Sequence, residues 1–256
     1  MIESTVEIKT DDGTLDVFIC HPEEEGPHPV VVLYMDAPGI RPELRDMSSR
    51  LASAGYYVML PNLYYRIGRE GGYGYDLARI RSDDAHLQRM HACRLSLSNA
   101  GVVRDTRALL AQARQDPAAD KGPIGCVGYC MSGSFVVAIG AAYPDEVAAI
   151  ASFYGVGIIT DAADSPHHDA HRIRAQTYLA FAQTDPWVPD QVLAALPDVI
   201  RESGWDARIE VYPETTHGFA FASRTDYQRA GGERHWERLH ALFARKLPRR
   251  PTSVSG

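Results

Sequence analysis

Continuous apolar runs alternate with stretches of helical periodicity along most of this chain. After "PEEEGPHP" the run "VVVLYM" (30–35) is apolar throughout and rich in β-branched residues, the pattern of a strand covered on both faces. "YYVMLP" (56–61), "IGCVGY" (124–129) and the stretches 148–154, 177–183 and 208–212 read as further strands. Between them Pro42 can open a helix as its first residue, with Leu44, Met47, Leu51 and Ala54 at helical spacing and Gly55 as the stop. Residues 99–115 place Val102, Val103, Thr106, Leu109, Leu110 and Ala113 on one helical face. Further helices are predicted over 132–142, 190–203 and 226–246. The first twenty residues read as two short strands, 5–9 and 15–21, around the turn "DDG". From 62 to 96 no period emerges, and loops with short helices lying over something are expected. The tail "PRRPTSVSG" (248–256) is expected to be disordered.

Two antiparallel strands followed by strand–helix alternation predict an α/β fold: a mostly parallel sheet of about eight strands with helices on both faces, in a single domain over 1–247. In an open sheet of this kind ligands bind beyond the carboxyl ends of the strands. The chemistry is therefore sought in the loops that follow each strand.

Composition narrows the partners. The formal net charge is −7 and no Lys/Arg stripe is present, which argues against nucleic acid and against anionic membranes. No apolar run is long enough for a membrane span, and the acidic N-terminus lacks the apolar core of a signal peptide. Cys20, Cys93, Cys126 and Cys130 show neither metal-site spacing nor a secreted disulfide framework. Free thiols, a cytoplasmic location, no metal and no cofactor are expected.

The stretch "IGCVGYCMSGSFVV" (124–137) runs a strand into a helix through a tight turn with Cys130 at its apex. Small residues flank that apex, Gly128 two before it and Ser132 and Gly133 two and three after. This is the spacing of a nucleophile elbow, where strand and helix backbones nearly touch. The turn would aim the sulfur at a cleft and set it at a helix N-terminus, which favours thiolate. The Met131 amide would face the oxygen of a reacting carbonyl. Read by itself, Cys130 has a second, weaker reading as a small buried residue between glycines. Cys126, inside the strand, reads as core.

Partners further along the chain weigh on that choice. In this architecture a nucleophile is followed by an acid and then a histidine, each after a later strand. "TYLAFAQTDPWVP" supplies Asp185 and "ARIEVYPETTHGFAF" supplies His217. Taken singly, Asp185 is a turn former before proline and His217 a loop histidine. In the required order at three strand ends, they suit a thiol activated by an imidazole that a carboxylate orients. Attack on an ester or lactone would give a thioester, which water then hydrolyses.

At this point the chain resembles the dienelactone hydrolase family, carboxymethylenebutenolidases of the α/β-hydrolase fold. The resemblance spans nearly the whole chain and rests on "YMDAPG", "GYCMSG", "TDPWVP" and "THGFAF". It implies a Cys130–His217–Asp185 triad and an oxyanion hole built from the backbone amides of Ala37 and Met131. It also implies a carboxylate at the end of the third strand that helps activate the cysteine. Asp36 stands there in place of the family's glutamate, one methylene shorter, and organising the turn is its other reading. The arginine expected four residues after the histidine, to hold a substrate carboxylate, is replaced by Phe221. That departure favours a less charged or different ester over dienelactone itself.

Tyr64, Tyr65, Tyr73 and Tyr75 either line an apolar pocket or pin a long loop to the surface. With Phe221 and Arg81, Tyr64 and Tyr65 are the candidate substrate-pocket residues. His167, His168 and His171 fall in a polar loop with no evident helix and are not read as a metal site. The expected ligand is a small ester or lactone, handled by a monomer or homodimer. A thioesterase or amidase would use the same triad. A ligand-binding or redox-sensing protein built on this scaffold would have no need of a base held by a carboxylate.

Overall fold

The computed structural model describes residues 1–248. Its core is an eight-stranded sheet in the order β1-β2-β4-β3-β5-β6-β7-β8. The strands are β1 (Ile2–Thr10), β2 (Gly13–His21), β3 (Val30–Tyr34), β4 (Tyr57–Pro61), β5 (Ile124–Tyr129), β6 (Val147–Phe153), β7 (Gln176–Thr184) and β8 (Ala207–Thr216). β1 pairs antiparallel with β2, and β2 with β4; every later pairing is parallel. The runs that are apolar in the sequence become the middle of the sheet, and every residue of β3, β4 and β5 is buried. The edge strand β1 is mostly exposed, which accounts for its polar alternation.

Among the described residues six α-helices complete the layers: α1 (Pro42–Ser53), α2 (Asp84–Leu95), α3 (Asn99–Gln115), α4 (Ser132–Ala142), α5 (Asp190–Ser203) and α6 (Arg229–Lys246). Strand β5 shows both faces covered. A Cβ built on Gly125 would meet Phe243 of α6 and Leu247, whereas one on Gly128 would meet Ser132 and Val136 of α4. Positions three apart on a strand point to opposite faces, so α6 and α4 lie on opposite sides of the sheet.

Three elements depart from the expectations. Helix α2 is a full three turns within a segment expected to hold only short helices, capped by the Asp83 carboxylate accepting from the Ala85 amide. Strand β8 continues past Tyr212 to Thr216, crossing Pro213 on the sheet edge where a ladder donor can be spared. Residues Pro166–Arg172, which carry the three histidines, form a 3₁₀ helix rather than a loop. Among the described residues no group of three or more His, Cys, Asp or Glu side chains is placed to hold a metal. Nor is any described helix long and apolar enough to cross a membrane. Of the tail expected to be disordered, 249–256 lie outside the described residues.

The first turn of α4 is wedged against the loop after β6. A Cβ on Gly133 would lie 2.2 Å from the Gly155 Cα and 2.6 Å from the Ser152 Oγ. Because backbone must move to admit it, Gly133→Ala is expected to cost about 1–3 kcal/mol. Thermal melting checks this as a fall in Tm of several degrees; an unchanged Tm would mean the loop yields freely.

Candidate active site

The loops beyond the carboxyl ends of β3, β5, β7 and β8 converge on one cavity of about 520 Å³. Ala37 enters it from the first loop, Cys130 and Met131 from the second, and Trp187 and His217 from the last two.

Cys130 sits at φ +55°, in the left-handed region that non-glycine residues rarely occupy. Its neighbours hold it there. Its amide donates to the Phe153 carbonyl at 3.1 Å, and its own carbonyl accepts from Gly133 N at 3.1 Å and Val156 N at 2.9 Å. Gly128 is required two residues earlier, because a Cβ there would fall 2.3 Å from the Ser132 carbonyl oxygen. Ser132 stands two residues after the apex, where the elbow pattern has glycine. Its hydroxyl donates to the Met35 carbonyl and ties the turn to the loop after β3. Cys126 is fully buried in β5, and burial alone pushes its thiol well up, as a core cysteine requires.

The acid and the histidine meet as their chain order suggested. His217 Nδ1 lies 2.8 Å from Asp185 Oδ2, with both side chains almost wholly buried. Asp185 also serves its own turn, its other oxygen accepting from the Trp187 amide at 2.9 Å. Nε2 of His217 is buried, and it closes no hydrogen bond of good geometry among the described residues. Cys130 is nonetheless near enough to interact with the imidazole; catalytic hydrogen bonds are often long in the absence of substrate. Burial opposes the imidazolium, but the Asp185 hydrogen bond and the hydrogen-bonding and charge interactions with Cys130 outweigh it. Together they raise His217 to about 9. The ring of Tyr154, itself at φ +41°, stands edge-on to the imidazole with centroids 5.0 Å apart.

Asp36 is fully buried, and its hydrogen bonds go to arginines. Arg41 Nη1 reaches Oδ1 at 2.5 Å and Arg224 Nη2 reaches Oδ2 at 2.8 Å; no hydrogen bond to Cys130 is present among the described residues. Phe221 lies beneath both guanidiniums, 4.7 Å from that of Arg41 and 5.3 Å from that of Arg224. Position 221 is therefore a platform for two cations rather than a cation itself.

Of the four residues expected in the substrate pocket, Arg81 lines the cavity. Tyr64, Tyr65 and Phe221 do not border it. Tyr64 is buried behind the wall, its hydroxyl donating to the Ala37 carbonyl at 2.9 Å and touching the Met131 sulfur at 3.6 Å. Tyr65 is tied to Thr10 and Asp105, and Tyr73 and Tyr75 bond to Asn62 and Pro38. The tyrosines thus pin the covering segment. The cavity wall comes instead from Leu77, Ile80, Trp187 and from Leu87, Met90 and Arg94 of α2. Leu87 and Met90 stand at i and i+3, with Arg94 at i+7; only two of the three are apolar, too few for periodicity to mark the helix.

His217 holds its proton more tightly in the folded chain than in the unfolded one. This contribution to stability is full below about pH 6.5 and is lost as pH rises through about 9. Proton NMR of the His217 ring is expected to show a midpoint near 9 that falls in Cys130→Ala, where the sulfur's share is removed. An unchanged midpoint in that variant would mean that the thiol and the imidazole do not interact.

Comparison with known proteins accords with this architecture. Residues 15–247 match the model of the dienelactone hydrolase family. A Synechocystis protein named "Putative carboxymethylenebutenolidase" is 28% identical over 258 residues, covering 95% of this chain and 99% of its own length. The "Carboxymethylenebutenolidase" of Rhodococcus opacus is 23% identical over 251 residues, covering 92% of this chain and 88% of its own. Among solved structures, "Putative Dienelactone Hydrolase" from Klebsiella pneumoniae superposes with a TM-score of 0.81 at 23% identity, over 95% of this chain and 98% of that one. The chain belongs to the dienelactone hydrolase family and is a hydrolase of the α/β-hydrolase fold.

Proposed function

We propose that this protein hydrolyses small esters or lactones through a Cys130 thiolate and a thioester acyl-enzyme. The observation that carries the reading is the convergence of Cys130, His217 and Asp185 at one cavity, with the imidazole oriented by a 2.8 Å contact to a buried carboxylate. The raised His217 favours the imidazolium at neutral pH, the form that can hand a proton to a leaving group.

The thiolate adds to the ester carbonyl, and the backbone amides of Ala37 and Met131 receive the oxyanion. Tyr64, bonded behind both residues, keeps that pair of amides in register. As the tetrahedral adduct collapses, the imidazolium gives its proton to the departing alkoxide and the thioester remains. Neutral His217 then takes a proton from water, which attacks the thioester. The acid leaves as the thiolate is restored, and Asp185 keeps the imidazole in the required tautomer throughout.

Hydrolysis of p-nitrophenyl acetate and cis-dienelactone by the wild type, Cys130→Ala, His217→Ala and Asp185→Asn tests this. Cys130→Ala and His217→Ala are expected to lose about 10³-fold or more in kcat/KM, and Asp185→Asn about 10²–10⁴-fold. Full activity in Cys130→Ala would overturn the mechanism. The preferred wild-type substrate reports what Phe221 at the arginine position does to specificity.

A further inference from the structure

Helix α2 contributes little to the core. Only Met90 and Cys93 of its twelve residues are buried. Yet Leu87, Met90, His91 and Arg94 all line the cavity, at positions i, i+3, i+4 and i+7 of one helical face. The best-defined stripe of this helix is thus turned to the site. Leu77, Ile80 and Trp187 extend its apolar portion, and 520 Å³ is far more room than an acetyl ester requires.

Four arginines border this cavity: Arg41, Arg81, Arg94 and Arg224. Three are committed. Arg41 and Arg224 share Asp36, and Arg41 also pairs with Glu43. Arg81 pairs with Asp226 at 2.9 Å. Arg94 makes no ion pair among the described residues, so a guanidinium without a counter-ion borders a largely apolar wall. An unpaired cation in a partly enclosed, largely apolar site is a receptor for an anion, since pairing there gains more than it would in open water.

We infer that α2 is a specificity helix. The ester taken at Cys130 carries an extended apolar body that lies along Leu87 and Met90, and a carboxylate or similar anion, remote from the scissile bond, that pairs with Arg94. This rests on the hydrolase reading for the position of the scissile ester, and it adds the class of substrate. The selecting cation belongs to the covering helix and not to the loop after β8, where Phe221 stands.

The test is calorimetric binding to the full chain carrying Cys130→Ala, which cannot turn the ligand over through the thiol. Monomethyl suberate, a half-ester with one remote carboxylate, is compared with dimethyl suberate, its neutral counterpart. The half-ester is expected to bind about ten-fold more tightly or better, as loss of a charge-assisted hydrogen bond implies. Adding Arg94→Gln should reduce that preference to about two-fold or less, and Arg94→Lys should retain most of it. Equal binding of the two esters, binding of neither, or a preference that survives Arg94→Gln overturns the proposal. Hydrolysis of p-nitrophenyl acetate by the wild type reports separately on the hydrolase reading. If that fails while the half-ester still selects for Arg94, the site is an anion-selecting pocket without this chemistry.

Discussion

The turn between β5 and α4 brings two backbones so close that the residue between them is forced into a left-handed conformation. Cys130 adopts φ +55°, and a non-glycine residue there costs about 1–3 kcal/mol. The surroundings over-determine that geometry. Gly128 admits the Ser132 carbonyl, Gly133 admits the loop after β6, and three backbone hydrogen bonds hold the amide and carbonyl of Cys130. The Ser132 hydroxyl adds a link to Met35, so the loop that carries Ala37 is tied to the turn that carries Met131. A strained apex and the two proposed oxyanion donors are in this way parts of one rigid unit. Glycine at position 132 would satisfy the steric demand but could not make that link.

Charge around the cavity is arranged in closed groups. Asp36 and Glu43 face Arg41 and Arg224, two carboxylates against two guanidiniums, stacked on the ring of Phe221. Burying Asp36 alone would be prohibitive; between two guanidiniums its oxygens are satisfied and the cluster carries little net field. Asp36 and Phe221, the two positions where the family resemblance implies a glutamate and an arginine, belong together. The shorter carboxylate is held by arginines, and the aromatic ring at 221 supports those arginines from below.

The sheet was legible because its central strands are covered on both faces, so burial had to be written as unbroken apolar runs at 30–35, 56–61 and 124–129. The meeting of Asp185 and His217 was legible because chain order constrains which strand ends can meet. What escaped was whatever depends on reach. Arg41 and Arg224 come to Asp36 from loops, and no local pattern records where a long side chain ends. Tyr64 and Tyr65 carry the same apolar signal whether they border a cavity or sit behind its wall. Strand β8 outlasts its apolar alternation because Pro213 lies on an edge, with Glu214 at φ +58° beyond it.

Helix α2 escaped for a more informative reason. A helix that packs on a core must present an apolar stripe, and that stripe is what periodicity detects. The α2 stripe reads Leu87, Met90, His91, Arg94, which is poor as a core face because a histidine and an arginine occupy half of it. The same composition is apt for a wall that must be apolar along most of its length and charged at one end. The helix is held by its cap, by Met90 and Cys93 in the core and by contacts such as Arg89 to the Tyr73 carbonyl, so little of its face is needed for packing. With the Asp36 cluster and the Arg81–Asp226 pair internally balanced, Arg94 is the one arginine on the cavity wall without a counter-ion among the described residues. On the proposed reading this helix supplies the cation that selects the substrate, while the elbow and its partners supply the chemistry.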